Sequence, residues 1–219
     1  MTTVKQTLLA AGCVLAIAIA GISIYFTQFN RPTLNETLHL GVGRAMAQET
    51  ANLVGKQGKI VAVIMDLNKA PELAVQLDEF ERALQKLGNF TISKKPLETE
   101  GKAKYATGAG LSGRRFVRAV KNHADAQAIV SFVGAPNLSE DDLGQLDTAK
   151  LPKFVAEVRS PDKLKKLFDK HIIQVAIVSR FQFPAPGPRK PRTPEDWFQN
   201  RFQIVTAESS VTLPESTGP

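Results

Sequence analysis

The chain has 219 residues, which is enough for one α/β domain with appendages. Its 28 lysine and arginine residues outnumber the 21 acidic residues, and this balance favours anionic partners. Nucleic-acid binding is not expected, because no stacking aromatics interleave with the basic residues and no nucleic-acid motif occurs. The single cysteine, Cys13, excludes an internal disulfide and a cysteine metal cluster, and the histidines lack ligand spacing, so we expect no metal.

The first predicted element is a membrane helix. Residues 8–26 read "LLAAGCVLAIAIAGISIYF" without a charge, close to the length needed to cross about 30 Å of hydrocarbon. We therefore assign residues 1–30 to an N-terminal membrane anchor with a single transmembrane helix. Gly12, Ala16 and Ala20 are spaced four apart, so a partner helix or a second copy of the chain could approach this face.

Two other interpretations compete for this segment. A cleaved signal peptide requires the apolar run to stop at a small-residue site, but after "AIA" at 18–20 the run continues to Phe26. A lipoprotein signal would lipidate Cys13, but too little apolar sequence precedes it. An uncleaved anchor fits better.

The orientation of the anchor depends on the charges that flank it. With Lys5 on one flank and Arg31 on the other, a cytoplasmic amino terminus is favoured. The folded domain would then lie outside the cytoplasm, in the periplasm if the source is a Gram-negative bacterium.

An α/β domain is predicted over residues 59–180, after a polar connector at 31–58 with some helical potential. The run "KIVAVIMD" at 59–66 is continuously apolar and β-branched, which is typical of a strand buried on both faces. The next segment has apolar residues at spacings of four, three, four and three, so they share one helical face. These residues are Leu73, Leu77, Phe80, Leu84 and Leu87.

Strands and helices continue to alternate along the chain. Further strands are predicted at 90–93, 128–134, 153–158 and 172–179. Further helices are predicted at about 113–123, in "SEDDLGQL" and in "SPDKLKKLFDKH". Ser139 and Ser160 stand in capping positions before two of these helices. The pattern predicts a three-layer, doubly wound α/β fold with about five mainly parallel strands.

Residues 181–219 are predicted to form a Pro-rich C-terminal extension. The stretch "FQFPAPGPRKPRTP" is rich in proline and positive charge, which is typical of an extended spacer. Thr193, followed by Pro194 and two acidic residues, is a good start for a short helix in "EDWFQNRF". An edge strand "FQIVT" and a loose polar end follow. Trp197 and Phe198 are expected to pack this extension onto the sheet.

Residues 108–113, "GAGLSG", match the G-x-G-x-x-G pattern of dinucleotide-binding loops. That fingerprint also requires a strand immediately before the glycines and an acidic residue about 20 residues later at the tip of the next strand. Here "ETEGKAKYAT" precedes the motif and the following strand ends in "SFVGAP", so both requirements fail. We expect no dinucleotide and no other cofactor. What remains is a loop of about 18 residues, long enough to be functional or mobile.

The candidate site lies where the parallel strands end, because ligands of open α/β sheets bind beyond the carboxyl ends of the strands. Ser160, Ser179 and Arg180 lie on this predicted rim. Ser112 is a natural cap for the helix that carries Arg114, so free amides and an arginine could bind a small anion or carboxylate. The candidate ligand-binding residues are Asp66, Asn68, Gly110, Ser112, Arg114, Gly134, Asn137 and Arg159.

Two functions remain open, and neither includes an assigned catalytic residue. The sequence has no histidine or cysteine nucleophile system, no G-x-S-x-G elbow and no Walker loop. The first hypothesis is a non-enzymatic, membrane-tethered extracytoplasmic module that binds a partner or ligand through the rim and the glycine loop. The alternative is an enzyme for a phosphorylated or carboxylated substrate, with Asp66 as acid or base and Arg114 or Arg159 for the anion.

The run "GKIVAVIMDLNKAPELAVQLDEFERALQKLG" followed by "GLSGRRFVRAVKNHADAQAIVSFVGAP" resembles one lobe of a type I periplasmic binding protein, over residues 60–180. The resemblance implies a doubly wound lobe without fixed catalytic residues. Such receptors hold ligand between two lobes. Since one lobe is expected here, the resemblance implies either that two copies dimerise to trap a ligand or that ligand binding has been lost.

Overall fold

The structure of the chain, a computed structural model, describes residues 2–25, 34–97, 111–158, 164–180 and 191–212. It contains two compact units, Met1–Leu34 and Asn35–Pro219, and each is described by itself.

The first unit contains one helix, α1, over Thr2–Ile24. Large apolar side chains of this helix are exposed, and they include Val14, Leu15, Ile17, Ile19 and Ile22. Within the described part of the chain, no helix has both the length and the apolar character needed to cross a membrane. The structure therefore does not support the transmembrane helix predicted at 8–26.

The second unit is built on a six-stranded sheet in the order β2-β1-β4-β6-β7-β8. Its strands are β1 (Gln57–Ile64), β2 (Asn89–Pro96), β4 (Ala128–Ser131), β6 (Lys153–Val158), β7 (Val175–Ser179) and β8 (Phe202–Thr206). The first five strands of this set are mutually parallel, and β8 pairs antiparallel with β7 at the edge. The predicted mainly parallel α/β sheet and the predicted C-terminal edge strand are both confirmed.

Two further short strands form a separate pair, and six helices complete this unit in the described residues. The strands are β3 (Leu111–Ser112) and β5 (Pro136–Asn137). The helices are α2 (Glu36–Val54), α3 (Pro71–Leu87), α4 (Gly113–Asn122), α5 (Glu140–Gly144), α6 (Leu164–Asp169) and α7 (Pro194–Arg201).

Alternate side chains of the central strands enter two different hydrophobic cores, which is why residues 60–64 of β1 are apolar at every position. Ile60 and Ala62 of β1 lie in the core that α2, α3 and α7 cover, whereas Val61 and Val63 lie in the core that α4 and α6 cover. Every one of these β1 side chains is at most 2% exposed. A sheet that is buried on both faces gives the three-layer arrangement.

Helix α2 is where the structure differs from the predicted connector at 31–58. Asn35 begins the compact unit, and its side chain accepts a hydrogen bond from the backbone N–H of Leu38 at 3.2 Å, as an N-cap. Val42, Met46 and Ala47 of α2 are fully buried in the first core. The segment is part of the folded domain, because without it one face of the sheet would lose much of its cover.

Two glycines let α2 lie in direct contact with its neighbours. A Cβ atom at Gly41 would meet the carbonyl oxygen of Pro194 in α7 at 2.3 Å, and one at Gly43 would meet that of Gln76 in α3 at 2.2 Å. Both contacts are to backbone, so a side chain could be accommodated only by moving a helix. Glycine at these positions therefore sets the helix separation.

Arg44 links the same three helices by charge. Its guanidinium donates to Oε1 of Glu79 in α3 at 2.9 and 2.7 Å and also pairs with Glu195 in α7. Glu79 is buried, and a second arginine, Arg82, donates to its other carboxylate oxygen, Oε2, at 3.1 Å. The two carboxylates, first Glu79 and then Glu195, raise the pKa of Arg44. The ion pairs therefore satisfy a buried carboxylate that would otherwise destabilise the fold.

Two of the predicted helix starts are confirmed as capping boxes. Ser139 and Asp142 cap α5 reciprocally, and Thr193 and Asp196 do the same for α7. Phe198 is buried against the first core, as predicted for the extension. The predicted helix start at Ser160 lies outside the described residues.

Replacing Gly43 with alanine is expected to lower the free energy of unfolding by about 1–3 kcal/mol, because the added methyl group overpacks α2 against the α3 backbone. Gly144→Ala is the matched control, since a Cβ there would meet nothing within 4 Å and should leave stability unchanged or slightly raised. Urea unfolding of both variants measures the difference. Equal stabilities would contradict the close approach of α2 and α3.

Candidate functional site

The rim of the sheet is set by β1 and β4, which lie side by side and end at the same edge. Val63 of β1 is in register with Ser131 of β4, and the backbone N–H of Phe132 donates to the carbonyl oxygen of Val63 at 3.0 Å. Asp66 and Gly134 follow these strand ends within a few residues. The structure thus brings the turns that carry two of the predicted site residues to neighbouring positions.

Asp66 and Asn68 form a turn of their own. Oδ1 of Asp66 accepts a hydrogen bond from the backbone N–H of Asn68 at 3.1 Å, and this contact caps the short 3-10 helix Leu67–Lys69. Both side chains are exposed on the rim. Because the Asp66 carboxylate already serves as a cap, the structure gives it a positioning role in the turn after β1.

The turn after β4 is built around Ser131 and Gly134. The hydroxyl of Ser131 is fully buried and donates to the carbonyl oxygen of Gly134 at 2.7 Å. Gly134 has a φ of 112°, a left-handed conformation that residues with a side chain rarely adopt. The glycine therefore allows the chain to turn sharply and enter β5.

The pairing of β3 with β5 brings the other rim residues together. The backbone N–H of Leu111 donates to the carbonyl oxygen of Ala135 at 3.1 Å, and Ser112 is in register with Asn137. The buried side chain of Leu111 anchors this pair in the second core. Ser112 and Asn137 thus lie side by side, both exposed, next to the turn at Gly134.

Gly113, the last glycine of the G-x-G-x-x-G pattern, has a packing role. A Cβ at this position would lie 2.2 Å from Oδ2 of Asp142 and 2.8 Å from the carbonyl oxygen of Asn137. The carboxylate of the chain itself therefore occupies the space beside the amino terminus of α4. Ser112 makes no side-chain capping hydrogen bond, so the predicted cap at this residue is wrong.

Asp142 is held in place by Ser139. Its Oδ2 accepts from the backbone N–H of Ser139 at 3.0 Å and from the Ser139 hydroxyl at 2.7 Å. These hydrogen bonds, together with the nearby charge of Arg114, lower the pKa of Asp142. The interaction shows that Arg114 faces the α5 side of the molecule.

Arg114 opens onto a groove of about 600 Å³ between α4 and α5. Arg118 and Lys121 continue the α4 wall, and Asp141 and Gln145 lie on the α5 wall. We call this feature the α4–α5 groove. It begins at the rim and runs along the side of α4. Sequence patterns do not predict it, because α5 contributes only a five-residue helix.

The other residues predicted on the rim either lie outside the described residues or have a structural role. Gly110 and Arg159 lie outside the described residues, as does the predicted start at Ser160. Arg180 is a structural residue, because its Nε donates to the carbonyl oxygens of Gln199 and Phe202 at 2.7 and 3.0 Å. Among the described residues, no group of three or more His, Cys, Asp or Glu side chains is arranged to hold a metal ion.

Several solved structures share this architecture at low sequence identity. An arabinose binding protein from Geobacillus stearothermophilus aligns over 80% of this chain and 63% of its own, at 13% identity and a TM-score of 0.54. A solute binding protein of an ABC transporter from Burkholderia graminis, in complex with D-arabinose, aligns over 82% and 63% at 17% identity and a TM-score of 0.53. A protein described as a LacI transcriptional regulator from Bacteroides fragilis aligns over 80% and 62% at 10% identity and a TM-score of 0.52.

The chain has a type I periplasmic-binding-protein-like fold. The predicted resemblance to this fold is thereby confirmed, and at these identities it is the fold that is shared. The chain spans about three-fifths of the length of these structures. No protein-family model matches the sequence, and the comparison with curated proteins found no match.

The stability of the folded chain is expected to depend on pH through Asp142. Since its pKa is lowered in the fold, the ionised carboxylate stabilises the protein above its ordinary pKa of about 3.9, and this contribution is lost as pH falls through the lowered value. The unfolding free energy of wild type minus that of Asp142→Asn should therefore be positive at neutral pH and shrink in acid.

Urea unfolding at neutral and acidic pH measures this difference. Asp141→Asn is the control, because the Asp141 carboxylate makes no hydrogen bond with the described residues and its loss should change stability little. A difference between wild type and Asp142→Asn that grows in acid would contradict the role of Asp142.

Proposed function

We propose that the chain is a non-enzymatic binding module that is tethered to a membrane and exposes its α/β unit outside the cytoplasm. The observation that carries the proposal is the rim, where β3–β5 pairing sets Ser112 beside Asn137 at the carboxyl end of a parallel sheet. Ligands of open α/β folds bind at this end. Solved structures that share the fold include an arabinose binding protein and a solute binding protein in complex with D-arabinose.

The chemistry of the rim suits a small polar ligand. An asparagine side chain such as that of Asn137 carries donors and acceptors, and a serine hydroxyl such as that of Ser112 carries one donor and two acceptor lone pairs. The backbone at the Gly134 turn approaches without a side chain. We propose a small hydroxylated molecule, with or without one negative charge, as the ligand. The rim covers one side of such a molecule, so a second copy of the chain or a partner protein would cover the other side.

A binding role is supported further by how the rim carboxylate is used. General acid–base catalysis requires a titratable group in reach of the reacting atoms. Asp66 caps the turn after β1 instead, and Arg114, the proposed anion-binding partner in an enzyme, lies in the α4–α5 groove beside Asp142. The two residues that an enzyme would combine therefore have separate structural surroundings.

The membrane tether is proposed from the first unit. Residues 8–26 contain no charge, and α1 exposes Leu15, Ile17, Ile19 and Ile22 at about 60–70% each. An apolar surface of this kind gains free energy when it leaves water. The charge pattern of the flanks favours a cytoplasmic amino terminus.

Ligand binding is tested by thermal unfolding of the full chain in a mild detergent, with D-arabinose, D-tagatose and inorganic phosphate as probes. A ligand at about 100 times its Kd should stabilise the fold by roughly 2.7 kcal/mol and raise Tm by roughly 5–10 °C. Asn137→Ala should abolish the shift, because it removes the amide on the rim. Asn200→Ala, an exposed residue of α7, is the control and should keep it. Shifts of equal size in both variants would refute the rim as the site.

The tether is tested by fractionation of cells that express the full chain. The wild-type chain should remain with the membranes after an alkaline wash, whereas Leu15→Lys combined with Ile19→Lys should move it to the aqueous fraction, because each buried charge costs about 2.5–3.5 kcal/mol in a bilayer. Thr91→Lys combined with Asn200→Lys adds the same charge at exposed sites of the second unit. A wild-type chain found in the aqueous extract would refute the tether.

A further inference from the structure

The α4–α5 groove carries a row of basic side chains that the rim does not use. Arg114, Arg118 and Lys121 line one wall and are spaced four and three residues apart on α4, so they share one helix face. The row is about 10 Å long, at about 1.5 Å per residue. Val117, which is buried, contributes an apolar patch to the floor between them.

No direct ion pair between described residues holds these three cations. Within the described ranges, Arg114 and Arg118 make neither an ion pair nor a hydrogen bond, and Lys121 reaches only the neutral Oε1 of Gln145, at 3.5 Å. A side chain that is charged, exposed and unpaired on the wall of a groove is available to a partner. The α4 wall therefore presents three positive charges, of which that of Arg114 also acts on the nearby Asp142 carboxylate.

The opposite wall supplies two negative charges, those of Asp141 and Asp142, against three positive charges on the α4 wall. The Asp142 carboxylate accepts hydrogen bonds from the backbone N–H and hydroxyl of Ser139 and keeps its negative charge, and Asp141 is the second carboxylate on this wall. The neighbouring Glu140 is paired with Lys166 at 2.7 Å and with Lys170 at 3.6 Å. The surface around the groove is therefore cationic in balance, in keeping with the formal charge of +7 for the whole chain.

The spacing of the row identifies the class of partner. Arg114 and Arg118 lie about 6 Å apart along the α4 axis. An extended peptide places alternate side chains on one face, about 6.6 Å apart. Carboxylates at alternate positions of such a peptide would each meet one arginine, and arginine binds carboxylates with two parallel hydrogen bonds.

We infer that the α4–α5 groove binds an extended acidic segment of a partner protein, with aspartate or glutamate at alternate positions. Arg114 and Arg118 bind successive carboxylates, Lys121 extends the contact, and Val117 receives the backbone or an aliphatic stem. Single-stranded nucleic acid is disfavoured, because no aromatic residue lines the groove for base stacking.

The test uses the full chain in a mild non-ionic detergent and a fluorescein-labelled peptide of alternating glutamate and serine, with fluorescence anisotropy as the readout. A glutamine and serine peptide of the same length is the neutral control. The acidic peptide should bind, its affinity should fall as salt is added, and the neutral peptide should not bind. Equal binding of the two peptides would overturn the inference.

Charge variants assign the binding to the groove. Arg118→Gln should weaken binding of the acidic peptide about fivefold, as expected for one exposed ion pair, and the pair Arg118→Gln and Lys121→Gln roughly 25-fold. Lys86→Gln, which removes an exposed cation of α3, is the matched control and should bind as the wild type does. Equal losses in the control would overturn the inference.

A variant that binds the peptide more tightly than the wild type gives a result that misfolding cannot explain. Asp141→Asn deletes the carboxylate that faces the row, so it should tighten peptide binding about two- to fivefold. An unchanged or weaker affinity would overturn the inference. Competition separates an acidic peptide site from a general anion surface. Displacement of the peptide by inorganic phosphate or short-chain phosphatidylserine at matched charge concentration would indicate a general anion surface and would also overturn the inference. The rim variant Asn137→Ala should bind the peptide normally, which separates this result from that of the proposed ligand site.

Discussion

The burial of β1 on both faces is the constraint on which the second unit depends. Successive side chains of this strand enter two different cores, so each face of the sheet must be covered by helices. On one face the cover is α2 with α3 and α7, and it is close enough that Gly41 and Gly43 contact backbone. Because both faces are occupied, the polar turns at the carboxyl ends of the strands are the place left for a ligand.

The short β3–β5 strand pair determines the shape of the rim. The pairing of β3 with β5 ties the loop before α4 to the turn after β4, so that Ser112 and Asn137 become neighbours although 25 positions separate them. The same arrangement brings α5 against Gly113 and opens the α4–α5 groove. The two proposed binding surfaces are therefore products of one local pairing, with a polar rim at its end and a cationic groove at its side.

Much of the fold could be predicted because its signals are strong in the sequence. The apolar runs of β1, β4, β6 and β7 and the capping boxes at Ser139 and Thr193 express burial and backbone chemistry directly. Helix α2 is harder to recognise, because Gly41, Gly43 and Ala47 take the place of large apolar residues at several of its contacts. The β3–β5 pair could not be predicted, since a two-residue strand has no periodicity. The position of Asp142 beside Gly113 depends on that pair and was equally hidden.

The Arg44 ion pairs join the two ends of the second unit. Helix α2 is its first element and α7 nearly its last, and Glu195 binds the same guanidinium as the buried Glu79. During synthesis on the ribosome, α2 and α3 emerge long before α7. The first core therefore stays partly uncovered, and Glu79 has only α2 and α3 around it, until α7 has also left the exit tunnel. The timing of translation, as well as the final contacts, thus governs when this domain can close.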